Sequence, residues 1–139
     1  MNRQTFQELA SIFLKEAAVL LDAGYAHGAF YLAGYAVESA VKACIAKKTR
    51  ADDFPPDPQW VREYVYTHNI QRLLKAAELD KRLDEEAPKG SALDESWATV
   101  YLWSEKSRYE TKTTQQARDL YSAVADSGKG VLVWLQRYW

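Results

Sequence analysis

The sequence predicts an all-α protein, an up-and-down four-helix bundle with short extra helical turns. Three observations predict it. The stretch Tyr25–Lys48 is apolar or small nearly all round, the signature of a central helix wrapped by others. Residues 4–24 and the segment after Thr113 carry apolar residues at helical spacing. No alternating apolar run makes a convincing strand. At 139 residues the chain reads as one domain, 1–139, long enough to bury about two thirds of its unfolded surface.

The first helix covers residues 4–24, with Phe6, Leu9, Phe13, Ala17, Leu20 and Leu21 on one face and Gln7, Glu8, Ser11, Lys15 and Asp22 away from it. Ile12 and Val19, seven apart, suggest a second, narrower apolar strip. Gly24 sits where a helix C-cap belongs. The short join that follows requires the first two helices to be antiparallel neighbours. The central helix is broken chemically only by His27, Tyr31, Tyr35, Glu38 and Lys42, spaced by four, four, three and four, which form one polar stripe.

Thr49 to Trp60, with Pro55, Pro56 and Pro58, reads as a loop, and Val61–Tyr66 is open between a helical turn and an extended piece. A third helix starts near Thr67 or His68 and turns Ile70, Leu73, Leu74 and Ala77 inward. Asp80 is placed to cap a short turn through Leu83. Ser91 and Asp94 resemble a capping box that opens a helix from Ala92 to about Trp103. Ser104–Thr113 is a polar loop centred on Arg108 and Tyr109. One last helix runs from Thr113 or Thr114 to the end, with Gly128 and Gly130 inside it, each costing roughly 1 kcal/mol there. The expected core includes Leu32, Val37, Val41, Leu73, Leu74, Val100, Leu120 and Val124.

Composition narrows the function. Eighteen basic and 19 acidic residues give a net charge of −1, so nucleic acid would have to be met by a local patch. Glu38 and Lys42 interrupt the best candidate for a membrane span, and the amino terminus lacks a signal-peptide core. The single cysteine, Cys44, lies among apolar residues and reads as a buried thiol; a cytoplasmic location without membrane association is the expectation. There is no glycine-rich phosphate loop, no HExxH and no CxxC, so neither cofactor nor metal is expected. Five Trp, nine Tyr and four Phe exceed what one core needs, and they point to a two-fold homodimer, with Trp134 and Trp139 of the last helix as contributors.

Four blocks together resemble the HEPN domains (higher eukaryotes and prokaryotes nucleotide-binding). They are Leu20–Lys47, His68–Leu74, Trp103–Glu110 and Val131–Leu135, in the family's order. The first block is the most specific and matches at Gly24, Tyr25, Ala29, Ala33, Ala36, Glu38, Ala40, Lys42 and Ala43; Arg108-Tyr109 is the second signature. The resemblance implies a helical bundle that dimerises and a link to RNA or nucleotides, in toxin–antitoxin or phage-defence settings. It also implies a nucleotidyltransferase-type partner, which would be a separate protein. Many such domains are metal-independent RNases with an Arg, then four to six intervening residues, then a His, at the start of the last long helix. Here Arg108 occupies the Arg position and no histidine follows it. Arg62 and His68 have the right spacing but precede the third helix.

Two readings of the polar stripe stay open. In one, Glu38 and Lys42 form an intrahelical ion pair that holds the central helix against the Arg108 loop. In the other, Tyr31, Tyr35, Glu38, Lys42, His68, Arg108 and Tyr109 form a ligand edge, with cations facing a phosphate and a tyrosine stacking on a base. In the second reading Arg108 pairs with Glu38 until a phosphate replaces it. The functions that follow are a non-catalytic RNA- or nucleotide-binding protein, an RNase whose acid–base residue is atypical (Tyr109 or His68), or a helical dimerisation module without a small ligand.

Overall fold

The computed structural model describes residues 1–48 and 65–139; the expected loop Thr49–Trp60, most of Val61–Tyr66, and Arg62 with its spacing to His68 lie outside the described residues. The described residues are helical and contain no strand. They form α1 (Arg3–Asp22), α2 (Ala26–Lys47), α3 (Ile70–Ala76), α4 (Asp80–Glu86), α5 (Ala92–Val100), a 3₁₀ turn (Glu105–Tyr109), α6 (Thr114–Ala125) and α7 (Val131–Gln136).

α1 opens on Asn2, whose side chain accepts the Thr5 N–H at 3.0 Å. It closes on Gly24 at φ +86°, with Gly24 N–H donating to the Leu21 carbonyl and Tyr25 N–H to the Leu20 carbonyl. That pair of bonds is a Schellman closure, and the left-handed residue in it is why a glycine stands there. α1 and α2 then pack as an antiparallel hairpin.

α2 lies at the centre, against α1, α3, the 3₁₀ turn, α6 and α7. Ala29, Ala33, Ala36, Val37, Ala40, Val41 and Ala43 have no exposed surface. Small side chains let the neighbouring helices come close on several sides at once, where larger ones would hold them apart. By length and hydropathy α2 could cross a membrane even with Glu38 and Lys42 in it, but 78% of its apolar window is buried in this fold. Cys44 is buried as expected; desolvation pushes its thiol from 9.0 up to about 12, and its Sγ points to the Leu135 carbonyl at 3.7 Å.

Several expectations are corrected. The last helix is two helices. Asp126 Oδ1 accepts the N–H groups of Gly128 and Lys129 at 2.9 and 2.8 Å, and the Asp126 carbonyl takes Gly130 N–H at 3.0 Å. A Cβ on Gly130 would lie 2.2 Å from that carbonyl oxygen, so the tight break demands glycine. Trp134 does not face outward: it is 3% exposed and meets Trp97 edge-to-face, with ring centroids 5.9 Å apart. Asp80 is inside α4, and Leu79 holds the cap position. α5 ends at Val100, short of Trp103. Leu32 is half-buried at the α1–α2 seam, whereas the other seven expected core residues are buried.

Candidate functional site

The polar stripe of α2 meets two other segments, the residues that lead into α3 and the 3₁₀ turn. Asn69 caps α3 by accepting Arg72 N–H at 3.0 Å, which sets His68 just ahead of the helix. Ser104 and Ser107 close the 3₁₀ turn with reciprocal side-chain-to-backbone bonds. Trp103, just before that turn, lies flat on Gly34 of α2 and donates its indole N–H to the Tyr31 carbonyl at 3.1 Å. This wedge brings the turn against the stripe.

Four side chains, Lys42, Glu38, His68 and Glu105, then form a chain of contacts. The Glu38 carboxylate is only 2% exposed. Lys42 Nζ lies 2.7 Å from Glu38 Oε1, and His68 Nδ1 lies 3.0 and 3.1 Å from Oε1 and Oε2. His68 Nε2 reaches Glu105 Oε2 at 3.0 Å. A buried carboxylate needs donors on its oxygens, and two nitrogen donors supply them here. His68 faces a carboxylate from each ring nitrogen.

Beside this chain stands an aromatic group. The Tyr35 ring lies 5.0 Å from Tyr31, 5.6 Å from Phe13, 5.8 Å from Trp103 and 6.1 Å from His68. Burial, the hydrogen bond with Tyr31 and the Glu38 charge push the Tyr35 phenol well above its usual range, so it stays a neutral hydroxyl. Arg108 lies at the edge of the group. Its guanidinium sits 4.7 Å from the Tyr109 ring centroid and hydrogen-bonds the Tyr109 and Tyr31 side chains, which hold it firmly cationic. Tyr109 is 77% exposed. His27 Nε2 lies 3.1 Å from the Arg108 carbonyl oxygen and donates to it, tying the turn to the start of α2.

The residues singled out in the sequence thus fall into two adjoining groups: Lys42, Glu38 and His68 in one, Tyr31, Arg108 and Tyr109 in the other, with Tyr35 between them. The expected Glu38–Arg108 pair is not formed. Lys42 and His68 already occupy the Glu38 oxygens, and no carboxylate among the described residues pairs with Arg108. Sequence reasoning missed Glu105 as the second partner of His68 and Gly34 as the seat of Trp103. Neither has a local signal, because the contacts join segments dozens of residues apart. A groove of about 630 Å³ between α5 and α6, lined by Thr99, Gln116, Asp119 and Lys129 among others, contains none of these residues. Among the described residues no three His, Cys, Asp or Glu side chains are grouped to hold a metal ion.

Compared with protein-family models, with curated proteins and with solved structures, the chain matches none of them.

Proposed function

We propose that the chain is a HEPN-like RNA- or nucleotide-binding protein of the toxin–antitoxin or defence type, which holds its ligand without cutting it. In this reading the longer helices form the up-and-down four-helix bundle and α3, α4 and α7 are the short additions. The protein works in the cytoplasm, and any nucleotidyltransferase-type partner is a separate chain. The observation that carries the reading is Arg108: a cation without a carboxylate partner among the described residues, lying over a tyrosine ring that is largely exposed. A guanidinium suits a phosphate, and a free phenol face suits a base. Tyr31 and the His27 contact to the Arg108 backbone hold the pair in place before a ligand arrives.

Fluorescence anisotropy with labelled single-stranded RNA, and competition by mononucleotides, tests this. Tyr109→Ala should weaken binding by about 5- to 100-fold, the loss of one stacked base. Arg108→Ala should weaken it by about tenfold and flatten the salt dependence by about one phosphate contact. Binding by both variants at wild-type strength would sink the reading. Cleavage is expected to be undetectable or very slow, because no histidine follows Arg108.

One observation favours the RNase alternative. His68 is 41% exposed and its Nδ1 is oriented by a buried carboxylate, an arrangement that suits a general acid or base. Rapid cutting of RNA in the presence of a chelator, abolished by His68→Ala, would replace the binding reading with that one.

A further inference from the structure

A hollow of about 620 Å³ opens next to the Arg108–Tyr109 pair, between the start of α2 and the residues that lead into α6. Tyr25, His27 and Gly28 line it from one side, and Lys112, Thr113 and Thr114 from the other. Two links join it to the pair. His27 lines the hollow and also holds the Arg108 carbonyl at 3.1 Å. Lys112 follows Tyr109 by three residues, so their backbones are at most about 11 Å apart. The backbone of Tyr25 is fixed: its N–H donates to the Leu20 carbonyl at 2.8 Å, and its carbonyl accepts the Ala29 N–H at 3.1 Å. The ring on that fixed backbone is left to solvent. Tyr25 is 66% exposed and makes no aromatic contact among the described residues. The Lys112 ammonium lies 4.8 Å from the Phe30 ring centroid and 2.8 Å from Glu110, whose side chain is 53% exposed. An ion pair with so exposed a partner is weak, and a phosphate oxygen can take the place of the carboxylate.

Resting on the binding reading above, we infer that the ligand is a single RNA strand of at least two nucleotides, with Tyr25 as the platform for a second base and the hollow as the seat of the sugar and phosphate beside it. A mononucleotide occupies one ring and one cation, Tyr109 and Arg108, and leaves Tyr25 and Lys112 unused. A strand running from Tyr109 past His27 to Tyr25 offers each exposed ring a base and each cation a phosphate. Exposed rings interleaved with cations are how single strands are held without base-edge readout. A duplex does not fit this arrangement, because its paired bases stack on one another and leave no face for a tyrosine. With a net charge of −1, the chain also has no overall excess of basic residues to hold a helical backbone.

Competition anisotropy on the full chain tests this with uridine 5′-monophosphate, the dinucleotide pUpU, which keeps the same terminal phosphate, and an oligomer of about eight uridines. The dinucleotide should bind about 5- to 100-fold more tightly than the mononucleotide, the gain from one more stacked base. Tyr25→Ala should remove that gain, so that the two ligands bind alike. Tyr25→Phe keeps the ring and should keep the gain. Lys112→Gln should weaken the oligomer by about tenfold and lower its salt dependence by about one phosphate contact. Thermal melting checks that each variant remains folded; the Tyr25 side chain makes no capping hydrogen bond that its removal could break. Equal affinity of the wild type for mononucleotide and dinucleotide overturns the inference and leaves Arg108 and Tyr109 standing as a binding site. So does a Tyr25→Ala variant that binds dinucleotide and oligomer as the wild type does, or an RNA duplex bound as tightly as the oligomer. If none of the three ligands binds, the binding reading itself fails and takes this inference with it.

Discussion

Gly34 shows how one residue sets the site. A Cβ built on it would lie 2.2 Å from the Trp103 indole, closer than any side chain tolerates. The missing side chain is therefore the space in which Trp103 lies, and Trp103 in turn brings Glu105 and Arg108 to the α2 stripe. Gly34→Ala adds helix propensity but displaces the ring and its bond to the Tyr31 carbonyl. The expected result is a net loss of about 1–3 kcal/mol, the usual cost of overpacking, read by thermal melting. A red shift in tryptophan emission should accompany it. If the variant melts at or above the wild-type temperature, Trp103 is not wedged as described. Glu38 makes a related point: a carboxylate 2% exposed is retained because Lys42 and His68 reach it from two segments.

At the scale of the element, the break between α6 and α7 rests on Asp126. Its carboxylate accepts two backbone N–H groups, Lys129 first and Gly128 second, and these hold its pKa below the ordinary 3.8. A depressed folded-state value means that the stabilisation is present above 3.8 and is lost as pH falls through the folded-state value. Asp126→Ala should therefore lower the melting temperature at neutral pH, and the difference from wild type should close in acid below 3.8. A difference that persists undiminished in acid would show that the carboxylate charge is not what holds the turn. The α1–α2 join was readable in advance because Gly24 has a specific conformational reason to be there. The α6–α7 break was only half readable: the two glycines marked a disturbance, but the Asp126 side chain decided that it would be a stop.

For the whole molecule, Trp134 is the informative residue. Counting aromatics suggested a surplus available for an interface, yet Trp134 lies between Trp97 and Tyr138 inside the fold, with centroids 5.9 and 5.0 Å away. Trp134→Ala should cost about 3–5 kcal/mol of folding stability, measured by denaturant titration. A variant that stays as stable as wild type would show that Trp134 is not packed as described. Ile12 and Val19 of α1, which stood out already by their seven-residue spacing, are exposed instead.

By itself, the sequence determined the helical class, the α1–α2 hairpin, the central position of α2, and most of the core from Val37 to Val124. These follow from periodicity, small residues and caps, which act over one or two turns. It also marked the polar stripe, because an ionisable side chain on an apolar helix needs a partner wherever the chain goes. Which partner was decided only in three dimensions. Lys42 is one turn from Glu38 and could be named; His68 and Glu105 reach the same chain of contacts from segments 30 and more residues away, through a wedge that depends on Trp103 meeting Gly34. Arg108 was placed correctly in the turn but given the wrong partner, since competition among donors for two buried oxygens is settled by packing and leaves no trace in spacing.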